Sequence, residues 1–209
     1  MTIIDKKILF IGDSITEDGR FDDEANLGLG YVRMIHDDFL QKAKHLNVIN
    51  KGISGDRITD LHARWQRDVI QEQPDYLSIS IGINDVWRQL DQPAIAQVYP
   101  AQFQEIYHNL LDQVIKQTKA EIILMEPTII EENPLSQGNQ LLTNYIKIIH
   151  SLSKEYKTIQ IPLHQACLDF IQDNPKTPLT RDGVHMNDRG RMLMATCWLD
   201  TVKKELALS

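Results

Sequence analysis

Five short apolar runs punctuate the chain, at Lys7–Ile11, Val48–Asn50, Tyr76–Ile81, Glu121–Met125 and Thr158–Ile161. Their β-branched and aromatic content, without strict alternation, predicts strands buried on both faces. The stretches between them change period. Ile58, Leu61, Trp65 and Val69 are spaced three, four and four residues apart, which places them on one face of a helix. Phe103, Ile106, Leu110 and Val114 repeat that spacing. Further helices are predicted over 141–156 and 189–206, with a weaker pattern over 30–46.

Alternating strands and helices predict a parallel sheet covered on both sides. Right-handed crossovers then favour an α/β fold: a three-layer α/β/α sandwich, flavodoxin-like, on a doubly wound five-stranded parallel sheet. Ligands in such sheets bind beyond the carboxyl ends of the strands. The loops that matter are therefore 12–20, 51–57, 82–90, 126–138 and the segment from Pro162 onward.

With 209 residues, one domain spanning 1–209 is expected. A net charge of −7 argues against nucleic acid and against an anionic membrane as partner. No signal peptide is read at Met1–Lys7, and no apolar run is long enough to span a bilayer. Cys167 and Cys197 lack the spacing of a metal site or a disulfide framework and are expected to pack as small apolar groups. These features together predict a cytoplasmic protein.

The loops carry the chemistry. Gly12-Asp13-Ser14 follows the first apolar run directly, and Asp182-Gly183-Val184-His185 lies near the other end of the chain. A serine hydroxyl needs a base to become a nucleophile, and an imidazole oriented by a carboxylate is such a base. Taken singly, Ser14 reads equally well as a helix cap, and His185 as a surface residue beside a turn. Asn50-Lys51-Gly52-Ile53-Ser54-Gly55 offers Gly52 as a backbone donor to an oxyanion, or merely a turn. Asn84, in Gly82-Ile83-Asn84-Asp85, offers a side-chain amide for the same charge, or an Asx turn. Asp182, His185 and Asp188 could also be metal ligands, but no His-x-x-x-His or Cys-x-x-Cys anchor supports that. Ser14, Gly52 and Asn84 fall at the ends of three successive strands, where one crevice can collect them.

These blocks resemble the SGNH-hydrolase (GDSL esterase/lipase) superfamily, with Ile15 in place of its usual leucine. The resemblance maps its serine, glycine, asparagine and histidine onto Ser14, Gly52, Asn84 and His185. Within it, Phe10–Thr16, Asn50–Gly55 and Ile81–Arg88 look like intracellular acetylxylan esterases, which deacetylate xylo-oligosaccharides inside bacterial cells. It implies a homo-oligomer, no cofactor and no metal. It implies attack by Ser14, proton transfer through His185 oriented by Asp182, and an oxyanion held by Ser14, Gly52 and Asn84. Trp87 and Arg88 suit a sugar, through C–H stacking and multiple N–H donors, or else pack and pair locally. Trp65 and Trp198 are expected in the core, and Arg20, Arg57 and Arg181 on the solvated surface. Two rival functions are a lysophospholipase or thioesterase for longer acyl chains, and a carbohydrate-binding protein without activity.

Overall fold

The computed structural model describes residues 6–42 and 46–206. Five parallel strands, β1 (Lys6–Gly12), β2 (Leu46–Gly52), β3 (Tyr76–Ser80), β4 (Glu121–Met125) and β5 (Ile159–Ile161), form one sheet in the order β2-β1-β3-β4-β5. This is the doubly wound order expected from the sequence. Between β1 and β3 the chain changes its direction of travel across the sheet, and that point opens a crevice at the carboxyl edge. Burial follows position: every residue of central β3 is buried, whereas edge strand β2 alternates beyond its first two residues.

Helices cover both faces. On one side α2 (Tyr31–Gln41), α8 (Asp188–Leu206) and α7 (Leu163–Asp173) pack side by side. On the other lie α3 (Ile58–Trp65), α5 (Pro100–Gln117), α6 (Gln137–Tyr156) and α4 (Ile83–Asp91). The face Ile58, Leu61, Trp65, Val69 is buried throughout, and beyond Trp65 the helix widens into a π turn over Gln66–Ile70. Trp198 is also core: it packs against Phe10 and Phe39, and its Nε1 donates to Ser78 Oγ at 3.0 Å. Of the helix read over 30–46, residues 31–41 are helical and 43–45 lie outside the described residues. Cys167 is buried and Cys197 partly so, and both are free thiols. Among the described residues no helix is long and apolar enough to cross a membrane.

Three helices were not read from the pattern, and each has a physical reason. The segment α1 (Ser14–Glu17) is a single turn. In α4 the buried face includes Asn84 and Asp85, polar residues where a core helix would carry apolar ones. The third, α7, has no local start signal, because Pro162 at its cap offers no side-chain acceptor. Glu126, at the end of β4, supplies one across space: its Oε2 accepts from His164 N at 3.0 Å and Gln165 N at 3.4 Å. A carboxylate there satisfies orphan N–H groups and complements the helix dipole.

Candidate active site

Ser14 stands two residues past the end of β1, as the first residue of α1. Capping falls to Asp13, whose Oδ1 accepts from Ile15 N at 3.0 Å. The Ser14 hydroxyl is therefore free of the helix, and it lies 3.0 Å from His185 Nε2. His185 Nδ1 lies 2.6 Å from Asp182 Oδ2, and Asp182 Oδ1 accepts from the N–H groups of His185 (2.8 Å) and Val184 (3.1 Å). Burial acts to raise the Asp182 carboxyl, but the His185 ring and these two N–H groups outweigh it and hold the pKa below its usual value. An ionised Asp182 keeps the proton on Nδ1, so Nε2 is the lone-pair nitrogen and Ser14 Oγ donates to it.

The loop bearing the acid and base is fastened at its root. Glu132 Oε1 accepts from Leu179 N (3.2 Å), Thr180 N (2.8 Å) and Thr180 Oγ1. Gly183 N donates to Thr180 Oγ1 at 3.0 Å, and Glu131 N donates to the Gly183 carbonyl at 2.6 Å. The 126–138 loop thus sets where Asp182 and His185 come to rest.

Asn84 is 1% exposed and starts α4 with its amide directed away from its own helix: Nδ2 donates to the Asp56 carbonyl at 3.1 Å. That bond uses one of two amide hydrogens and leaves the other for a ligand. Asp85 is fully buried, and its carboxyl receives Ile58 N at 3.2 Å, which ties the start of α3 to the start of α4. Burial pushes Asp85 up to about 8 and the neighbouring Asp13 up to about 7. From roughly pH 4 to 8, folded Asp85 keeps a proton that the unfolded chain has lost, so its contribution makes stability fall as pH rises. The neutral isostere Asp85→Asn is expected to flatten that decline, seen as a shallower drop in Tm between pH 5 and pH 8. An unchanged slope would show Asp85 ionised throughout.

The structure corrects the expectation for Gly52. Its N–H donates to Asn50 Oδ1 at 2.9 Å within a buried network, so it is not offered to a substrate. The need for glycine there is steric: a Cβ would collide with Thr16 C and Glu17 N. Gly55 was passed over and better fits a donor. It occupies the third position of a turn closed by Asp56 N to the Ile53 carbonyl at 3.3 Å, with φ +85°. A turn of that shape needs glycine for its positive φ. Among the described residues neither Gly55 N–H nor Ser14 N–H meets a backbone acceptor. The following residue, Asp56, accepts from Asn84, which holds the amide against the loop that carries Gly55. The signal for Gly55 was its place in Ser-Gly-Asp; with two glycines in that loop, sequence alone did not say which one faces the crevice.

Trp87 is half-buried, with its ring edge-to-face against His185 at 5.8 Å between centroids. Arg88 lies over the indole at 4.8 Å and pairs through Nη1 with Asp91, so its guanidinium is engaged locally. Asp188 turns outward to Arg191 Nη1 at 2.8 Å and does not converge with Asp182 and His185. Two arginines expected in solvent are otherwise engaged. Arg20 is buried and donates to Gly52 and Asn26, while Arg57 donates to the Ala96 carbonyl at 2.7 Å. Arg181 is exposed as expected.

A serine, imidazole and carboxylate linked in series at the switch point of a parallel sheet define a serine hydrolase. Residues 10–193 match the GDSL-like lipase/acylhydrolase family, and the chain belongs to that family; it is a carboxylic ester hydrolase. An acetylxylan esterase of Geobacillus stearothermophilus is 35% identical over an alignment covering 93% of this chain and 92% of the relative. The crystal structure of Axe2, an acetylxylan esterase from that organism, superimposes with a TM-score of 0.87 at 33% identity, covering 97% of this chain and 96% of that one. LAE5, an alpha/beta hydrolase enzyme from the metagenome of Lake Arreo, gives a TM-score of 0.87 at 29% identity over 94% of each chain. Catalytic mutants of Axe2 replace a serine, an aspartate and a histidine by alanine; the last two are three positions apart, the interval between Asp182 and His185.

Proposed function

We propose that this chain removes acetyl groups from acetylated sugars, with xylo-oligosaccharides as the preferred class. The observation that carries the mechanism is the continuous hydrogen-bonded series Ser14–His185–Asp182, at 3.0 and 2.6 Å. Ser14 Oγ attacks the acetyl carbonyl while His185 Nε2 takes its proton. The oxyanion is held by the N–H groups of Ser14 and Gly55 and by the Asn84 amide, with Gly52 behind them as a spacer. His185 returns the proton to the departing sugar oxygen. Water activated by the same nitrogen then cleaves the acetyl-enzyme, releasing acetate. Asp182 stays ionised and stabilises the imidazolium in both half-reactions.

The sugar reading is supported by the likeness to acetylxylan esterases and by Trp87, whose indole lies beside His185. Arg88 lies over that indole at 4.8 Å. Rates on p-nitrophenyl esters from acetate to octanoate are expected to fall with chain length, and acetylated xylo-oligosaccharides to outpace acetylated polymer. Trp87→Ala is expected to lower kcat/KM on the sugar esters more than on p-nitrophenyl acetate, which has no sugar ring. Rapid turnover of octanoyl esters or acyl thioesters, with acetylated oligosaccharides untouched, would transfer the same machinery to lipid-type substrates. The resemblance of the site blocks to intracellular acetylxylan esterases supports a cytoplasmic homo-oligomer, whose assembly light scattering at micromolar concentration checks.

A further inference from the structure

We propose that Arg64 is a positioning residue for the reaction: one buried guanidinium that fixes the oxyanion donors without touching substrate. This role rests on the reading of Ser14, Gly55 and Asn84 as those donors. Arg64 stands in the last turn of α3, is 8% exposed, and sends its side chain to the carboxyl edge of the sheet. Its Nη2 donates to the Gly12 carbonyl at 3.1 Å, at the end of β1. Its Nη1 donates to the Lys51 carbonyl at 2.8 Å, one residue before the end of β2, and to Asp68 Oδ2 at 2.9 Å. Its Nε donates to Asp56 Oδ2 at 2.7 Å, and Nη2 lies 2.7 Å from the same oxygen. All five N–H groups of the guanidinium thus have an acceptor, and none is left for a ligand.

Each oxyanion donor lies within two residues or one hydrogen bond of an atom that Arg64 holds. Gly12 is two residues before Ser14, and its carbonyl also accepts from Ile53 N at 3.1 Å, so the end of β1 and the loop after β2 meet at one oxygen. Asp56 follows Gly55 directly, and its carboxylate is the one gripped by Nε. The Asp56 backbone carbonyl is the acceptor that turns the Asn84 amide away from its own helix. Ser14, Gly55 and Asn84 come from three strand ends, and a planar fork with fixed donor directions is suited to set such segments against one another. Asp68, on the π turn beyond α3, completes the set and is itself shared with Arg67 at 2.7 Å. A buried ion pair adds little stability over apolar packing of the same volume, so stability alone does not account for this network. An oxyanion site gains most from donors already in place before charge develops, and small displacements of them are costly.

Steady-state kinetics on p-nitrophenyl acetate test this with Arg64→Lys, which keeps the buried charge but not the fork. A folded Arg64→Lys protein is expected to lose about tenfold or more in kcat, with KM within about twofold of the parent. In an Asn84→Ala background the same substitution should cost about threefold or less, because one of the donors it positions is already gone. A purely structural brace would add its full factor in either background. Asp56→Asn keeps the side-chain oxygen and weakens its charge-assisted bond to Nε; it should lower kcat by about threefold, and it keeps the test decisive if Arg64→Lys does not fold. The positioning role is overturned if Arg64→Lys, or Asp56→Asn where Arg64→Lys does not fold, turns over like the parent, whatever its melting temperature. It is equally overturned if the Arg64→Lys and Asn84→Ala factors multiply in full. Parental kcat in Asn84→Ala alone would instead remove the oxyanion reading beneath it, so the two failures are told apart.

Discussion

Ser14→Ala and His185→Ala are each expected to lower kcat by about four to six orders of magnitude, and the double variant to lose little more. Members of one nucleophile–base unit are lost together, because either one without the other does almost nothing. The folded state should be nearly unaffected by Ser14→Ala. The cap of α1 is Asp13, not Ser14, and the serine hydroxyl bonds only to the histidine it serves. Single-turnover kinetics with p-nitrophenyl acetate, beside thermal melts, separate the two effects. Wild-type protein should release a burst of p-nitrophenol and the Ser14→Ala protein none. A folded Ser14→Ala protein with near-normal turnover would end the acetyl-enzyme mechanism.

Asn84→Ala should reduce kcat by about 10²–10³-fold, the usual cost of one oxyanion donor, and leave KM close to its original value. The negative charge on the carbonyl oxygen exists only in the transition state, so its donor contributes little to ground-state binding. A second effect has a different cause. The Asp56 carbonyl loses its partner inside a buried site, at a cost of about 1–3 kcal/mol of stability. Measuring kcat and Tm on the same preparation distinguishes the two. A change confined to KM would make Asn84 an ordinary contact to substrate.

Most of the architecture was legible because the strands are short and mostly apolar and several helices repeat their apolar spacing. Ile58, Leu61, Trp65 and Val69 are buried where that spacing put them. Legibility failed where function or distant partners override the pattern. In α4, Asn84 and Asp85 occupy buried positions, so the apolar stripe is broken by polar residues that bond to the start of α3 and the loop before it. The start of α7 is written in Glu126, 37 residues before its first helical residue, and no local signal can report it. Residue types and spacing sufficed to bring Ser14, Asp182 and His185 together. The glycines differ, since lacking a side chain is the only message a glycine carries, and Gly52 and Gly55 carry it alike. Only backbone geometry separates the one pressed against Glu17 from the one turned towards open space. Arg20 shows the same limit for charge: nothing local distinguishes a cation in solvent from one folded inward.

The crowding at Gly52 has a consequence for genetics. A saturation screen scored by colony activity would find Gly52 as intolerant as Ser14, and a map of such scores would draw the reaction centre one strand end too wide. The two kinds of intolerance part company under heat. Clones altered at Ser14 should accumulate as soluble, inert enzyme at any growth temperature. Clones altered at Gly52 should lose soluble protein first in warm cultures, because a methyl group there drives β2 from the turn that follows Ser14.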